Sequence, residues 1–352
     1  MTAAATPALP PADLDLLGVG NALVDTLARV DDAFLAARGL DKGTMRLIGP
    51  EPAVEIAAAL PPDREEQGGG SAANTCAVAA ALGARVGFLG TVADDDAGRA
   101  FAADLAAIGV RFPNPPVPAE GEARHTGRSI VLVTPDGQRT MNTHLGAAVS
   151  FGPEDVDEPS VRGAAITYLE GYLFDPPRAQ AAFRHAADLA RASGRKVAIT
   201  LSDPFCVARH REAFLDFVST RADVLFANEA EAVALTGAET FEAAVAEIGG
   251  MIGLAAVTRG ARGSVVVADG TAHEVAAEPT RVVDTTGAGD AYAAGFLVAL
   301  ARGLDPAECG RWGSVAAAEA ISHLGARPRA DLRALVGPAR PPAEVGAAAE
   351  AI

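Results

Sequence analysis

The sequence predicts an α/β protein: a doubly wound, mainly parallel sheet flanked by helices, with a small β-rich lid beside it. Short apolar runs alternate with helical segments along most of the 352 residues, the rhythm of a parallel sheet covered on both faces. One stretch, 127–143, breaks that rhythm with a hairpin pattern. Hydrophobic residues make up 49% of the chain but aromatics only 5%, and alanine is abundant, a composition suited to close packing of helices on a sheet.

Each element follows from local signals. Residues 14–20 (LDLLGVG) read as a short buried strand closing on glycine. A helix is expected over about 32–39 and a strand over 43–48. Ser71 is the expected N-cap of the next helix and Gly83 the residue just past its end. The run 86–90 (VGFLG) reads as a strand and 95–108 as a helix. The hairpin then rises over 127–135, turns at Asp136-Gly137 and returns over 139–143. A strand at 166–173, a helix at 177–192, a strand at 196–201, a strand at 223–227 and a helix from near Glu229 follow. A strand at 254–258 precedes a second hairpin over 263–275 that turns at Asp269-Gly270. Two long Ala-rich helices, roughly 289–302 and 306–323, finish the fold. The expected organisation is a large domain from 13–24, 70–121 and 144–337. Residues 25–69 and 122–143 form a discontinuous lid, between a disordered start (1–12) and a frayed tail (338–352).

Charge and cysteine usage exclude several classes of function. The formal net charge is −16, and no basic cluster offers a face for nucleic acid or an anionic membrane. Three scattered cysteines without a CxxC pair, and six histidines without metal-ligand spacing, fit a reducing cytoplasm. The start lacks the basic-then-apolar order of a signal peptide, and no apolar run approaches the ~20 residues of a membrane span. The acidity also requires local devices to hold any phosphate.

Such a device stands at 284–297 (DTTGAGDAYAAGFL). Gly287, Ala288 and Gly289 lack bulk, so their backbone N–H groups can close around an anion at the start of a helix. Asp290, at the edge of that nest, could take a proton from an attacking hydroxyl, with a low pKa expected from the helix N-terminus. A bare GxGD is equally a tight strand-to-helix turn; the full string is far more specific.

That string resembles the second signature of the ribokinase/PfkB carbohydrate kinase family. Gly69-Gly70-Ser71-Ala72-Ala73-Asn74, with Gly83, Gly90, Asp94, Asp95 and Gly98, is similar to its first. Within the family, 18–25 (GVGNALVD), 201–205 (LSDPF) and 225–231 (LFANEAE) resemble the adenosine-kinase-like branch. The resemblance implies a ribokinase-like fold and an ATP- and Mg²⁺-dependent kinase. Its acceptor would be the 5′-hydroxyl of a nucleoside, with adenosine leading; a free sugar such as ribose or fructose, or another nucleoside, is the alternative. A non-catalytic nucleoside- or sugar-binding protein is the reading from another class. The protein is expected to be cytoplasmic, a monomer or homodimer, with a small molecule as its partner.

The same resemblance distributes roles. Asp290 is the base, with Gly287, Ala288 and Gly289 as the nest and Arg139 approaching the reacting groups from the lid, although Gln138-Arg139 reads equally as hairpin surface. Asn21, Asp25, Ser71 and Asn74 bind the acceptor sugar, with Gly69 and Gly70 as the hinge. Taken alone, Asp25 is a solvated turn acid and Asn74 a surface amide. Tyr172 and Phe205 could sandwich a base with help from Leu23, or simply be core. Glu170 could meet a base amino group or a sugar. Asn228, Glu231, Thr258, Gly260, Gly263 and Thr286 face the nucleotide. Glu231 touches Mg²⁺ indirectly, and Asp284 lies beside a monovalent cation such as K⁺.

Overall fold

The computed structural model describes residues 11–121 and 125–339. Most of the expected disordered start and frayed tail, and residues 122–124 of the lid, lie outside the described residues. In chain order the strands are β1 (Leu14–Val19), β2 (Leu23–Arg29), β3 (Met45–Leu47), β4 (Glu65–Gly69), β5 (Val86–Leu89), β6 (Thr126–Val133), β7 (Arg139–Gly146) and β8 (Ala164–Glu170). They continue as β9 (Lys196–Thr200), β10 (Val224–Asn228), β11 (Leu254–Thr258), β12 (Ser264–Ala268) and β13 (Thr271–Val275). The helices are α1 (Asp32–Ala36), α2 (Pro50–Ala58), α3 (Ser71–Ala81), α4 (Asp96–Ala107), α5 (Glu158–Gly163) and α6 (Pro177–Ala192). After them come α7 (Pro204–Thr220), α8 (Glu229–Thr236), α9 (Phe241–Met251), α10 (Ala288–Ala301), α11 (Pro306–Ala320) and α12 (Leu332–Val336).

The large sheet has eight strands in the order β13-β12-β11-β10-β9-β8-β1-β5. From β5 to β11 every neighbour is parallel, and β12 and β13 add an antiparallel edge. Two apolar layers cover it. Helices α6, α7, α8 and α9 bury Phe183, Phe214, Leu235 and Ile248 against one face; α3, α10 and α11 bury Cys76, Phe296 and Ala316 against the other. Chain order runs outward from β1 to β5 and then resumes at β8 on the opposite side. In open α/β sheets a crevice forms at the strand C-termini where the order reverses, which directs attention to the ends of β1 and β8.

The second sheet has five strands in the order β3-β7-β6-β2-β4. Its side chains alternate with period two. Ile130 and Leu132 pack outward into a small core with Leu35, Ile56 and Leu60, whereas Ser129, Val131, Met141, Thr143 and Leu145 face inward over a cavity. Strand β2 begins at Leu23 and β7 runs on to Gly146, each past the sequence-based limit of the lid.

Some elements differ from expectation. Helices α2, α5, α7, α9 and α12, and strands β2 and β4, had no counterpart in the sequence reading. Helix α7 is broken by non-helical geometry at His210 and carries many charges, which blurs its period. The apolar run expected as a strand to residue 173 leaves the sheet after Glu170 and coils into a 3₁₀ turn, Gly171–Phe174. Gly70, not Ser71, caps α3, and the Ser71 hydroxyl is used elsewhere.

Candidate active site

One cavity of about 750 Å³ lies at the C-terminal ends of β1, β8, β10 and β11, roofed by the inner face of the five-stranded sheet. Its lining includes both Asp25 and Asp290, so the two acids share a single cleft.

The anion nest is shaped by a buried aspartate. Asp284 is fully buried; its Oδ1 accepts from the Thr286 N–H at 2.9 Å and the Thr286 hydroxyl at 2.7 Å, and its Oδ2 accepts from the Gly325 N–H at 2.8 Å. This clasp folds the loop so that Thr285, Thr286, Gly287, Ala288 and Gly289 line the cavity. Gly287 has φ +75° as it enters α10, a conformation that penalises any side chain, and an added Cβ would stand 2.4 Å from that of Ala326. The Ala288 N–H reaches the Thr285 carbonyl at 3.4 Å, while among the described residues the Gly289 and Asp290 N–H groups meet no backbone carbonyl, so these two and the positive helix end are left for an anion.

Asp290 sits in the first turn of α10 with both oxygens engaged. Its Oδ1 accepts from the Ser71 hydroxyl at 2.7 Å and its Oδ2 from the Asn74 side-chain amide at 3.2 Å. The low pKa expected from the helix terminus is overturned: burial pushes the carboxyl upward, against these hydrogen bonds and the charges of Arg139 and Arg327. Desolvation outweighs the dipole here. Ser71 and Asn74, expected on the sugar, line the cavity but also orient the acid.

The Asp25 end of the cavity is rich in uncommitted oxygen. Among the described residues no hydrogen bond reaches the Asp25 carboxylate, and the buried Oδ1 atoms of Asn21 and Asn74 have no partner. All three residues line the cavity. Burial lifts the Asp25 carboxyl to about 7 despite the counter-pull of Arg327. Gly70 lines the cavity and Gly69 does not; a Cβ on Gly69 would lie 2.1 Å from the Asp25 carboxyl carbon, so only glycine lets this carboxylate keep its place. Glu170, expected to meet a base amino group or a sugar, lines the cavity with both carboxylate oxygens bonded to the protein. Its Oε1 accepts from the N–H and side-chain amide of Asn21 (3.3 and 2.8 Å), and its Oε2 accepts from the Ala72 N–H at 2.8 Å. Burial raises Glu170 to about 7.

Next to these polar groups the lid supplies an apolar ceiling. Leu23, Met45, Val131, Met141 and Leu145 line the cavity. Of these only Leu23 was singled out in the sequence; the period-two alternation of β6 and β7 carried the signal for Val131, Met141 and Leu145. Tyr172 joins the lining and donates its hydroxyl to the Ser202 carbonyl at 3.2 Å. Phe205 does not join it; the ring is 58% exposed at the start of α7. Ser202, missed from the sequence, lines the cavity at φ +70° with its hydroxyl buried and unpartnered. A left-handed serine stores strain of about 1 kcal/mol or more.

At the other end, Asn228 and Glu231 form a reciprocal cap on α8. The Asn228 Oδ1 accepts from the Glu231 N–H at 2.9 Å, and the Glu231 carboxylate accepts from the Asn228 N–H at 3.0 Å and its side-chain amide at 2.6 Å. Burial raises Glu231 to about 7. Both line the cavity with Thr258 and Gly260, whereas Gly263 and Asp284 stand behind the wall. Ala277, Pro279, Val282 and Tyr292 add an apolar slot that sequence reasoning did not find. Arg139, in the lining, donates to the Thr285 carbonyl at 2.5 Å, and the Thr285 hydroxyl donates to the Gly137 carbonyl at 3.2 Å. The lid hairpin therefore touches the anion nest directly.

Comparison with known proteins gives a consistent picture. A model of the "pfkB family carbohydrate kinase" family matches residues 40–332. The solved adenosine kinase from Sinorhizobium meliloti is 46% identical with a TM-score of 0.88, over 92% of this chain and 98% of that one. A probable sugar kinase from Rhizobium etli CFN 42 is 42% identical with a TM-score of 0.89, over 92% and 97%. The ATP-dependent ribose-1-phosphate kinase of Halopiger xanaduensis is 33% identical, over 66% of this chain and 73% of its own.

Proposed function

The chain belongs to the pfkB family of carbohydrate kinases and is a phosphotransferase acting on a hydroxyl group, and from that premise we propose that its acceptor is the 5′-hydroxyl of a nucleoside, adenosine foremost, with ATP as the donor. The observation that carries this reading is the make-up of the acceptor end. Asp25, Asn21 and Asn74 offer acceptor oxygens that hydroxyl donors of a ribose would satisfy, each bond to the carboxylate being charge-assisted. Leu23, Val131, Met141 and Leu145 cover a volume beside them that a flat base fills. A free pentose would leave that apolar surface wet. The named relatives include an adenosine kinase, a sugar kinase and a ribose-1-phosphate kinase, so the apolar ceiling is what favours a nucleoside over ribose, fructose or a phosphosugar.

In this reading Asp290 orients the attacking hydroxyl and accepts its proton, while Ser71 and Asn74 hold the carboxylate in line. The first-turn N–H groups of α10 and the Arg139 guanidinium meet the charge that spreads over the phosphoryl oxygens. Proton removal asks little of the base when the transition state is loose, so a carboxylate suffices. The five-stranded sheet acts as the lid that excludes water, its strands carried by residues 23–69 and 126–146. Among the described residues no group of three or more His, Cys, Asp or Glu side chains could hold a metal ion. Mg²⁺ would therefore ride on the nucleotide phosphates, neutralising their charge, with Glu231 reaching it through water. K⁺ would lie beside the Asp284 loop, whose carboxylate already receives three protein donors.

The test is an acceptor panel with ATP and Mg²⁺. Adenosine should exceed ribose, fructose and cytidine in kcat/KM by about tenfold or more, in line with the ~1–3 kcal/mol of an apolar contact. Higher turnover of a free sugar would replace the nucleoside reading.

A further inference from the structure

Arg327 follows Gly325 and Ala326, which pack on the anion nest, and its side chain runs back to β4, the edge strand of the five-stranded sheet. Its Nε and Nη2 both donate to the Gly68 carbonyl, at 3.0 and 2.8 Å, and Nη2 lies 3.2 Å from Asp104 on α4. Across the β2–β4 ladder Gly68 pairs with Val24, and Gln67 with Asp25. The guanidinium therefore grips the rung adjoining the acceptor carboxylate. The two residues before it face the other way. Gly325 donates its N–H to Asp284, and Ala326 fills the space beside Gly287. One short segment, 325–327, thus touches the nest on one side and β4 on the other.

Arg327 is absent from the cavity lining and its side chain is only 16% exposed, so it can act on substrate only through its neighbours. Burying a guanidinium is costly, and its Nη1 is buried without a partner. No step of the chemistry above uses it. Its charge does oppose the desolvation of Asp25.

We propose that Arg327 is a positioning residue, latching β4 at the Gly68 carbonyl to segment 325–327 and so holding Asp25 in register with the nest and Asp290. The part that concerns the acceptor rests on the kinase reading above. A two-pronged donation to one carbonyl resists both sliding and twisting of the strand, which a single donor does not.

Two variants of the full chain test this. Arg327→Met removes charge and donors; Arg327→Lys keeps the charge but loses the fork. Amide hydrogen exchange of the ligand-free protein should rise about tenfold or more over β4 in Arg327→Met, while β10 and β11 stay unchanged. With whichever acceptor the wild type turns over, acceptor KM should rise about tenfold and ATP KM stay within about twofold; about 1.4 kcal/mol corresponds to the former. Arg327→Lys should fall between. Unchanged exchange over β4, or equal rises in both KM values, overturns the latch. If Arg327→Met fails to fold, the same comparisons between Arg327→Lys and wild type decide it. Should the wild type turn over no acceptor at all, the kinase reading fails, while the exchange measurement still decides the latch.

Discussion

The two ends of the cavity solve recognition in opposite ways. At the acceptor end, side chains wait with their polar atoms unspent: the Asp25 carboxylate and the Oδ1 atoms of Asn21 and Asn74. At the end read as the phosphate site, Asp284 and Glu231 are already spent on the protein, Asp284 on Thr286 and Gly325, Glu231 on Asn228. There the carboxylates build loops and caps, and the ligand is left to backbone N–H groups and Arg139. The difference suits the chemistry. A neutral polyol is read by directed acceptors, whereas a polyanion in a chain of charge −16 needs donors.

Asp290 stands where the two ends meet, and its replacement should have the largest effect. Asp290→Asn keeps the shape and one acceptor for Ser71, but offers no base and weakens the orientation of the attacking hydroxyl. Its kcat should fall by about 10³-fold, within the range of general-base removal, with nucleotide binding unchanged. Turnover at the wild-type rate would remove Asp290 from the chemistry. Because burial raises its carboxyl, the rising limb of wild-type activity with pH should lie above the usual aspartate range.

The acceptor end is probed by Asp25→Ala. A buried carboxylate with no protein hydrogen bond has its partner in the ligand, so acceptor KM should rise about 100-fold, equivalent to the ~2–3 kcal/mol of a charge-assisted pair. ATP KM should hardly move. A matching rise in ATP KM would erase the distinction between the two ends.

That distinction was only half legible in the sequence. Asp25 taken alone reads as a solvated turn acid, and its role comes only with the family resemblance. The nest, Asp290 and the alternation of strands and helices follow from local strings, because glycine spacing and apolar runs are local properties. Partnerships between distant segments are not. Nothing in 71–74 announces that Ser71 and Asn74 would grip Asp290, more than two hundred residues on. Arg327 looks like any surface arginine until Gly68 is folded against it. Asp290 was expected to be acidic from its helix terminus alone, since burial emerges only once both sheets are assembled. Phe205 reads from its aromatic character as either a base-stacking or a core residue, yet at the start of α7 it is exposed and outside the cavity lining.

A smaller effect is expected where the carboxylate serves the fold. In Glu231→Gln the amide can still accept from the Asn228 N–H, but its NH₂ opposes the Asn228 side-chain amide. Thermal unfolding should register a loss of about 1 kcal/mol, the usual worth of a cap, and ATP KM should rise only a few-fold. A loss of activity as deep as that of Asp290→Asn would place Glu231 among the reacting groups.

The finest test concerns Glu170, whose carboxylate joins Asn21 to the start of α3. Burial lifts its carboxyl from 4.5 to about 7 in the folded chain. Between those values the folded state holds a proton that the unfolded state has released, so this group stabilises the fold below about 4.5 and its contribution is lost as pH rises through about 7. Asp25 and Glu231, raised to about 7, and Asp290, raised as well, act in the same direction. Glu170→Gln removes one of these four contributions, so a plot of Tm against pH between 4.5 and 8 should slope downward less steeply in the variant than in the wild type. Identical slopes would mean that Glu170 keeps an ordinary carboxyl pKa despite its burial. The acceptor KM of the variant should rise severalfold while kcat holds, because the Gln amide cannot accept from both Asn21 and Ala72, and only the aim of Asn21 suffers.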